Sequence, residues 1–202
     1  FLTGSILLNL DSEDEGILFI GCAGGIDTQA LLPYKPEKVV SGHRAMNLSV
    51  TGLHGGHSGD EIHKGYGNSI KIISSLLQDL EKKYDIRISN FTGGNLRNAI
   101  PREAFVTVTF NPAHEEKILA DTAAYNNHVR EEYDGLEPDL KVAATPAEVP
   151  ETVIDGGTQH RLLGALSIVP HRLLGWSKEI PDLVETSSNL ATIRFADDNM
   201  IH

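Results

Sequence analysis

A chain of 202 residues, 40% hydrophobic and 22% charged, has enough apolar mass to bury a core, as one large domain or two small ones. Its 28 acidic and 17 basic residues leave a formal net charge of −11, which argues against a nucleic-acid backbone or an anionic membrane as the main partner. No apolar run reaches membrane-spanning length and nothing resembles a signal peptide. The single cysteine, Cys22, excludes an intrachain disulfide and fits a reducing, cytoplasmic setting.

The first apolar run, residues 6–10, carries the signature of a fully buried strand. Residues 11–16 follow as an acidic turn, and residues 17–20 read as a second strand closed by the glycines of 21–25. Cys22 lies within that stretch and reads as a small buried hydrophobe rather than a nucleophile. Residues 39–51 alternate apolar and polar, with Met46, Leu48 and Val50 on one face. From 68 to 84, Ile70, Ile73, Leu76, Leu77 and Leu80 recur at three and four, which predicts an amphipathic helix ending in Lys82 and Lys83.

Residues 85–91 read as a strand, Gly93-Gly94-Asn95 as a turn, and 104–110 as a strand ending at Asn111-Pro112. Ile118, Thr122, Tyr125, Val129 and Tyr133 mark a second helix, and 140–144 a short strand. Strand-helix-strand written twice is the split βαβ arrangement. The expected fold is therefore α+β and ferredoxin-like, an antiparallel sheet with both helices on one face. Asp155 caps a further helix to about residue 168, stopped by Pro170. Residues 184–195 and 200 onward read as hairpin strands joined at 197–199, the start of a partial second α+β unit. Both ends of the chain read as cut through structure, so a piece of a longer protein is expected.

Three polar constellations stand out. The first is Gly52-Leu53-His54-Gly55-Gly56-His57-Ser58-Gly59-Asp60-Glu61-Ile62-His63, between the alternating strand and the periodic helix. Its glycines permit a tight turn, and the helix expected just after it would bring backbone N–H groups and a positive dipole end nearby, suiting an oxyanion or a carboxylate. Solvated loop histidines and a zinc site of His54, His57 and His63 are the alternatives, the latter lacking a fixed zinc spacing. The second is Asp11 at the end of a buried strand, a carboxylate whose direction a rigid element would set for a metal, or else an ordinary acidic turn. The third is Asn98, which offers donor and acceptor just ahead of Pro101, or is a plain turn asparagine.

Together, residues 7–13, 21–25, 53–59 and 98–104, with a weaker match at 184–189, resemble the zinc metallopeptidase family that contains carnosinases, glutamate carboxypeptidases and succinyl-diaminopimelate desuccinylase. The likeness leans towards its branch acting on Xaa-His dipeptides. It implies a zinc-binding catalytic domain interrupted by a lid: residues 1–25 as the tail of the former, 26–150 as the first half of the lid and 151–202 as part of its second half. It further implies Asp11 as a ligand of one of two zinc ions, His57 as the lid histidine that stabilises the tetrahedral oxyanion, and Asn98 as a group holding substrate. A homodimer through the lid and a small dipeptide substrate are the implied partners. The family's remaining zinc ligands and general-base glutamate are absent, so this piece alone is expected to be inactive and not to retain zinc. Where relatives carry a substrate-carboxylate arginine this chain has Asn111, with Arg97 and Arg102 as conceivable substitutes. The competing expectation is a non-catalytic dimerisation and substrate-closing module.

Overall fold

The computed structural model describes residues 4–6, 15–17, 24–196 and 198–202. All but the first residue of each strand expected at 6–10 and 17–20 fall outside the described residues, and Cys22 and Asp11 lie outside them. In chain order the elements are β1 (Leu32–Pro33), β2 (Pro36–Lys38), β3 (Arg44–Thr51), α1 (Ser69–Tyr84), β4 (Arg87–Gly93), β5 (Ala104–Phe110), α2 (Glu115–Glu132) and β6 (Lys141–Ala147). There follow β7 (Thr152–Ile154), α3 (Gly156–Ile168), β8 (Arg172–Trp176), β9 (Val184–Ser188), β10 (Ile193–Ala196) and β11 (Met200–Ile201).

Strands β4-β5-β3-β6 lie side by side in that order, every pairing antiparallel. β3 and β4, joined through α1, are separated by β5, so each βαβ unit is split by a strand of the other. That is the expected ferredoxin-like α+β arrangement. On β4 the sheet continues through β10, β11 and β1 to seven strands. β2 pairs with β7, and β8 with β9, as two small separate sheets.

The periodicity of α1 has a direct structural counterpart. Ile70, Ile73, Leu77 and Leu80 are fully buried against Leu48 and Val50 of β3, Phe91 of β4 and Val108 and Phe110 of β5. Asn68 starts the helix, its side-chain oxygen accepting from the N–H groups of Ile70 and Lys71 at 3.0 and 3.1 Å. Asp85 ends it in a left-handed conformation, φ 51°. That turn delays β4 to Arg87, two residues later than the alternation predicts. The same kind of correction applies to β3: a turn at Gly42 (φ 83°), closed by His43 N–H on the Val40 carbonyl, moves its start from 39 to Arg44.

Asp155 caps α3 as expected, accepting from Thr158 N–H at 2.8 Å. The buried Gln159 stitches that helix to the sheet, its oxygen accepting from Ile88 N–H and its amide donating to the Ile86 carbonyl. Residues 184–195 are not one strand. β9 pairs with β8, β10 with β4 and β11, and the chain between them is drawn away by the hydrogen bonds of Asn189 and Leu190. The edge of β6 is guarded: Asn126 of α2 accepts from Val142 N–H at 2.8 Å, and Pro146 has no donor to offer.

Candidate functional site

β3 runs out at Thr51, and Gly52 (φ 79°), Gly55 (φ 72°) and Gly56 (φ 128°) turn the chain through conformations that other residues rarely adopt. At Gly56 a Cβ would sit 2.6 Å from Glu61 Oε2, and at Gly55 it would collide with the Arg102 side chain. The loop then lies antiparallel beside the segment before β5. His57 bridges Ala99, Ser58 N–H donates to the Asn98 carbonyl and Ile100 N–H to the Gly56 carbonyl, both at 2.9 Å. Two of the three constellations, His57 and Asn98, thus sit side by side, joined through the isolated His57–Ala99 bridge and the Ser58–Asn98 hydrogen bond.

The ring of His57 is about half exposed, at 52% of its side-chain surface. Its Nδ1 accepts from the N–H groups of Gly59 and Asp60, each at 3.2 Å. An Nδ1 engaged as acceptor places the proton of the neutral imidazole on Nε2, which is then a donor at the outer end of the ring. Gly59 has no Cβ, and one added there would lie 3.1 Å from His57 Cε1, so the glycine is what lets the ring fold over its own turn. Glu61 supports the backbone beneath, Oε2 accepting from His57 N–H at 2.8 Å and Oε1 from Lys64 Nζ at 2.8 Å. The Lys64 bond first, and then the His57 N–H, hold the Glu61 carboxyl below its ordinary range, while Glu61 raises the Lys64 ammonium above its own.

The helix terminus plays no part in this. A single 3-10 turn at Ile62–Lys64 and three further residues to Gly67 separate His57 from α1, whose leading N–H groups are already taken by Asn68. The expectation of a dipole end aimed at the loop is therefore corrected. What presents a donor is the oriented imidazole.

The other histidines go elsewhere. His54 stacks on Tyr66, centroids 5.0 Å apart and planes 5° from parallel, and His63 meets Trp176 of β8 at 5.5 Å. Among the described residues no three His, Cys, Asp or Glu side chains are placed to hold a metal, so the zinc alternative for His54, His57 and His63 fails. Asn98 is exposed and lines an open cavity of about 430 Å³ with Gly25, Asp27 and Arg97, Arg97 being paired with Asp27 at 2.6 Å. Arg102 lies across the glycine turn, its Nε donating to the Leu53 carbonyl at 3.1 Å. Asn111 caps the next turn, accepting from Ala113 N–H.

Residues 40–137 match the family described as the peptidase dimerisation domain. The chain is 33% identical over 200 residues to the cytosol non-specific dipeptidase of Escherichia coli (strain K12), covering 99% of this chain and 41% of that protein. Its structure is similar to that of an aminoacylhistidine dipeptidase from Vibrio alginolyticus, with a TM-score of 0.81 and 32% identity over 85% of this chain and 35% of that one.

Residues 40–137 carry this peptidase dimerisation domain. The chain spans about two fifths of the length of the Escherichia coli relative. Both of these relatives are named dipeptidases. Two residues that hold this region together were not singled out from the sequence: Glu137 at the end of the matched domain and Asn189 beyond it. Glu137 is fully buried, with Oε2 accepting from His54 N–H at 2.7 Å and Oε1 from Gly67 N–H at 2.8 Å. Asn189 reaches from beyond the domain to donate to the Ala99 carbonyl at 2.8 Å. Glu137 carries no local motif and Asn189 only ends the weak 184–189 match, since both act on backbone groups far away in sequence.

Proposed function

We propose that this chain is the lid of a longer, cytoplasmic, zinc-dependent dipeptidase that hydrolyses Xaa-His dipeptides, and that it pairs with a second copy through the lid. Residues 1–25 belong on this reading to the catalytic domain's tail, 26–150 to the first half of the lid and 151–202 to part of its second half. The observation that carries it is His57: a half-exposed imidazole whose Nδ1 is held by two backbone N–H groups, leaving Nε2–H to donate.

The scissile carbonyl acquires negative charge as water adds to it, and an Nε2–H donor fixed in advance stabilises that charge without reorganising. Asn98, next to the Ala99 that bridges His57, supplies a second polar contact and holds the substrate beside it. Asp11 is proposed as one zinc ligand of a two-zinc site. On this reading the remaining ligands come from other parts of the enzyme. When bound, the zinc pair supplies an activated water and polarises the carbonyl.

The test is hydrolysis of a panel of Xaa-His and other dipeptides by the longer enzyme, with and without a chelator. Cleavage of Xaa-His dipeptides that stops on chelation and returns with zinc is expected. Chelator-resistant activity, or no activity on any dipeptide, contradicts the proposal. The 202-residue chain alone is expected to show no hydrolysis even with added zinc.

A further inference from the structure

The Gly-His loop departs from the end of β3 and returns at the entry to α1, and both of its ends are held by one side chain. Glu137 lies in the turn after α2, well separated in sequence from the groups it binds. Its side chain has 0% exposure. One oxygen accepts from His54 N–H, where the loop begins, and the other from Gly67 N–H, where it ends. At Gly67 a Cβ would press on Leu53 Cδ2, 2.9 Å away, and touch Glu137 Oε1 at 3.5 Å. The ring of His54 stacks on Tyr66 over the same place, its Nδ1 3.6 Å from Glu137 Oε2.

We propose that Glu137 is a positioning residue for the His57–Asn98 pair: by clamping both ends of the loop, its buried carboxylate sets the register of His57 against Ala99. The chemistry asks for a carboxylate. Two converging N–H donors need two acceptors, and an ionised Glu offers both, whereas Gln would offer one and turn its NH₂ towards the other N–H. A carboxylate kept dry only to hold a loop is an expensive anchor, and the loop it holds carries the half-exposed imidazole.

The proposal rests on His57 and Asn98 being the working pair, so its first readout does not depend on catalysis. Amide exchange is measured by NMR on the 202-residue chain and on its Glu137→Gln variant. Protection at Ser58 and Ile100, the two amides that tie the loop to the Asn98 segment, should fall by about tenfold or more, while amides in the middle of α2 keep theirs. Unchanged protection at Ser58 and Ile100 overturns the proposal. So does a uniform fall throughout the chain, which would make Glu137 a general stabiliser only. Should Glu137→Gln fail to fold, Glu137→Asp keeps the charge but is too short to span both donors, and the same local loss is expected. In the longer enzyme, Glu137→Gln should lower kcat by roughly tenfold to a hundredfold with KM little changed, the mark of a misplaced donor. A local loss of protection with unchanged kcat would leave the clamp standing and remove His57 from the chemistry.

Discussion

Alanine at Gly56 would have to adopt φ 128° with its Cβ 2.6 Å from Glu61 Oε2, so the Glu61–His57 N–H bond must open or the turn must move. The expected cost is about 1–3 kcal/mol of stability, read from urea unfolding, with a loss of activity in the longer enzyme. Loss of neither would mean that the loop tolerates a side chain there and does not depend on Glu61. A second residue-level effect is set by pH. Asp155 accepts from Lys35 N–H and Thr158 N–H, and these bonds, that of Lys35 first, pull its carboxyl from 3.8 to about 2. A folded-state value below the unfolded one means stability that is complete above pH 3.8 and disappears as pH falls through about 2. Asp155→Asn, which keeps the shape, should flatten the acid limb of the stability curve in that window; an unchanged limb would show that other carboxylates govern it. At this scale, the turns that carry His57 and precede Pro101 were legible because glycine and proline mark backbone geometry locally. Glu137 was not, because its partners lie 70 and 83 residues away.

Helix α1 was readable because its apolar spacing matches the face that packs on the sheet, and its asparagine cap stands immediately before it. The same reasoning separates two leucines that composition treats alike. Leu77 is fully buried, and Leu77→Ala should cost about 2–5 kcal/mol by chemical denaturation. Leu119 on α2 is 41% exposed, and Leu119→Ala should stay within about 0.5 kcal/mol. Equal costs would contradict the packing described for the two helices. Element ends were less legible. β3 and β4 start late because Gly42 and Asp85 take left-handed conformations, and the run from 184 to 195 breaks because Asn68 and Ala99 capture Leu190 and Asn189. A long-range hydrogen bond leaves no periodicity to read.

At the scale of the whole molecule, the split βαβ sheet followed from the order of elements alone, since two βαβ units that share one antiparallel sheet must interleave. Its extension by β10, β11 and β1 did not follow, because those strands are two to four residues long and too short to show alternation. With Asn126 on Val142 N–H and Pro146 in the strand, β6 offers a copy of itself few free donors. A lid-to-lid dimer is accordingly expected to pair through side-chain faces rather than by extending the sheet at β6. Sedimentation of the chain should show a dimer at high concentration, and Ala144→Pro, which removes a further donor from that edge, should leave it intact. Dissociation by that variant would put the interface on the β6 edge.

The most direct test of the account is the steady-state rate of the longer enzyme carrying His57→Ala. An Nε2–H that stabilises the developing oxyanion predicts a fall in kcat on the order of a hundredfold or more with KM nearly unchanged. An unaltered kcat would contradict it.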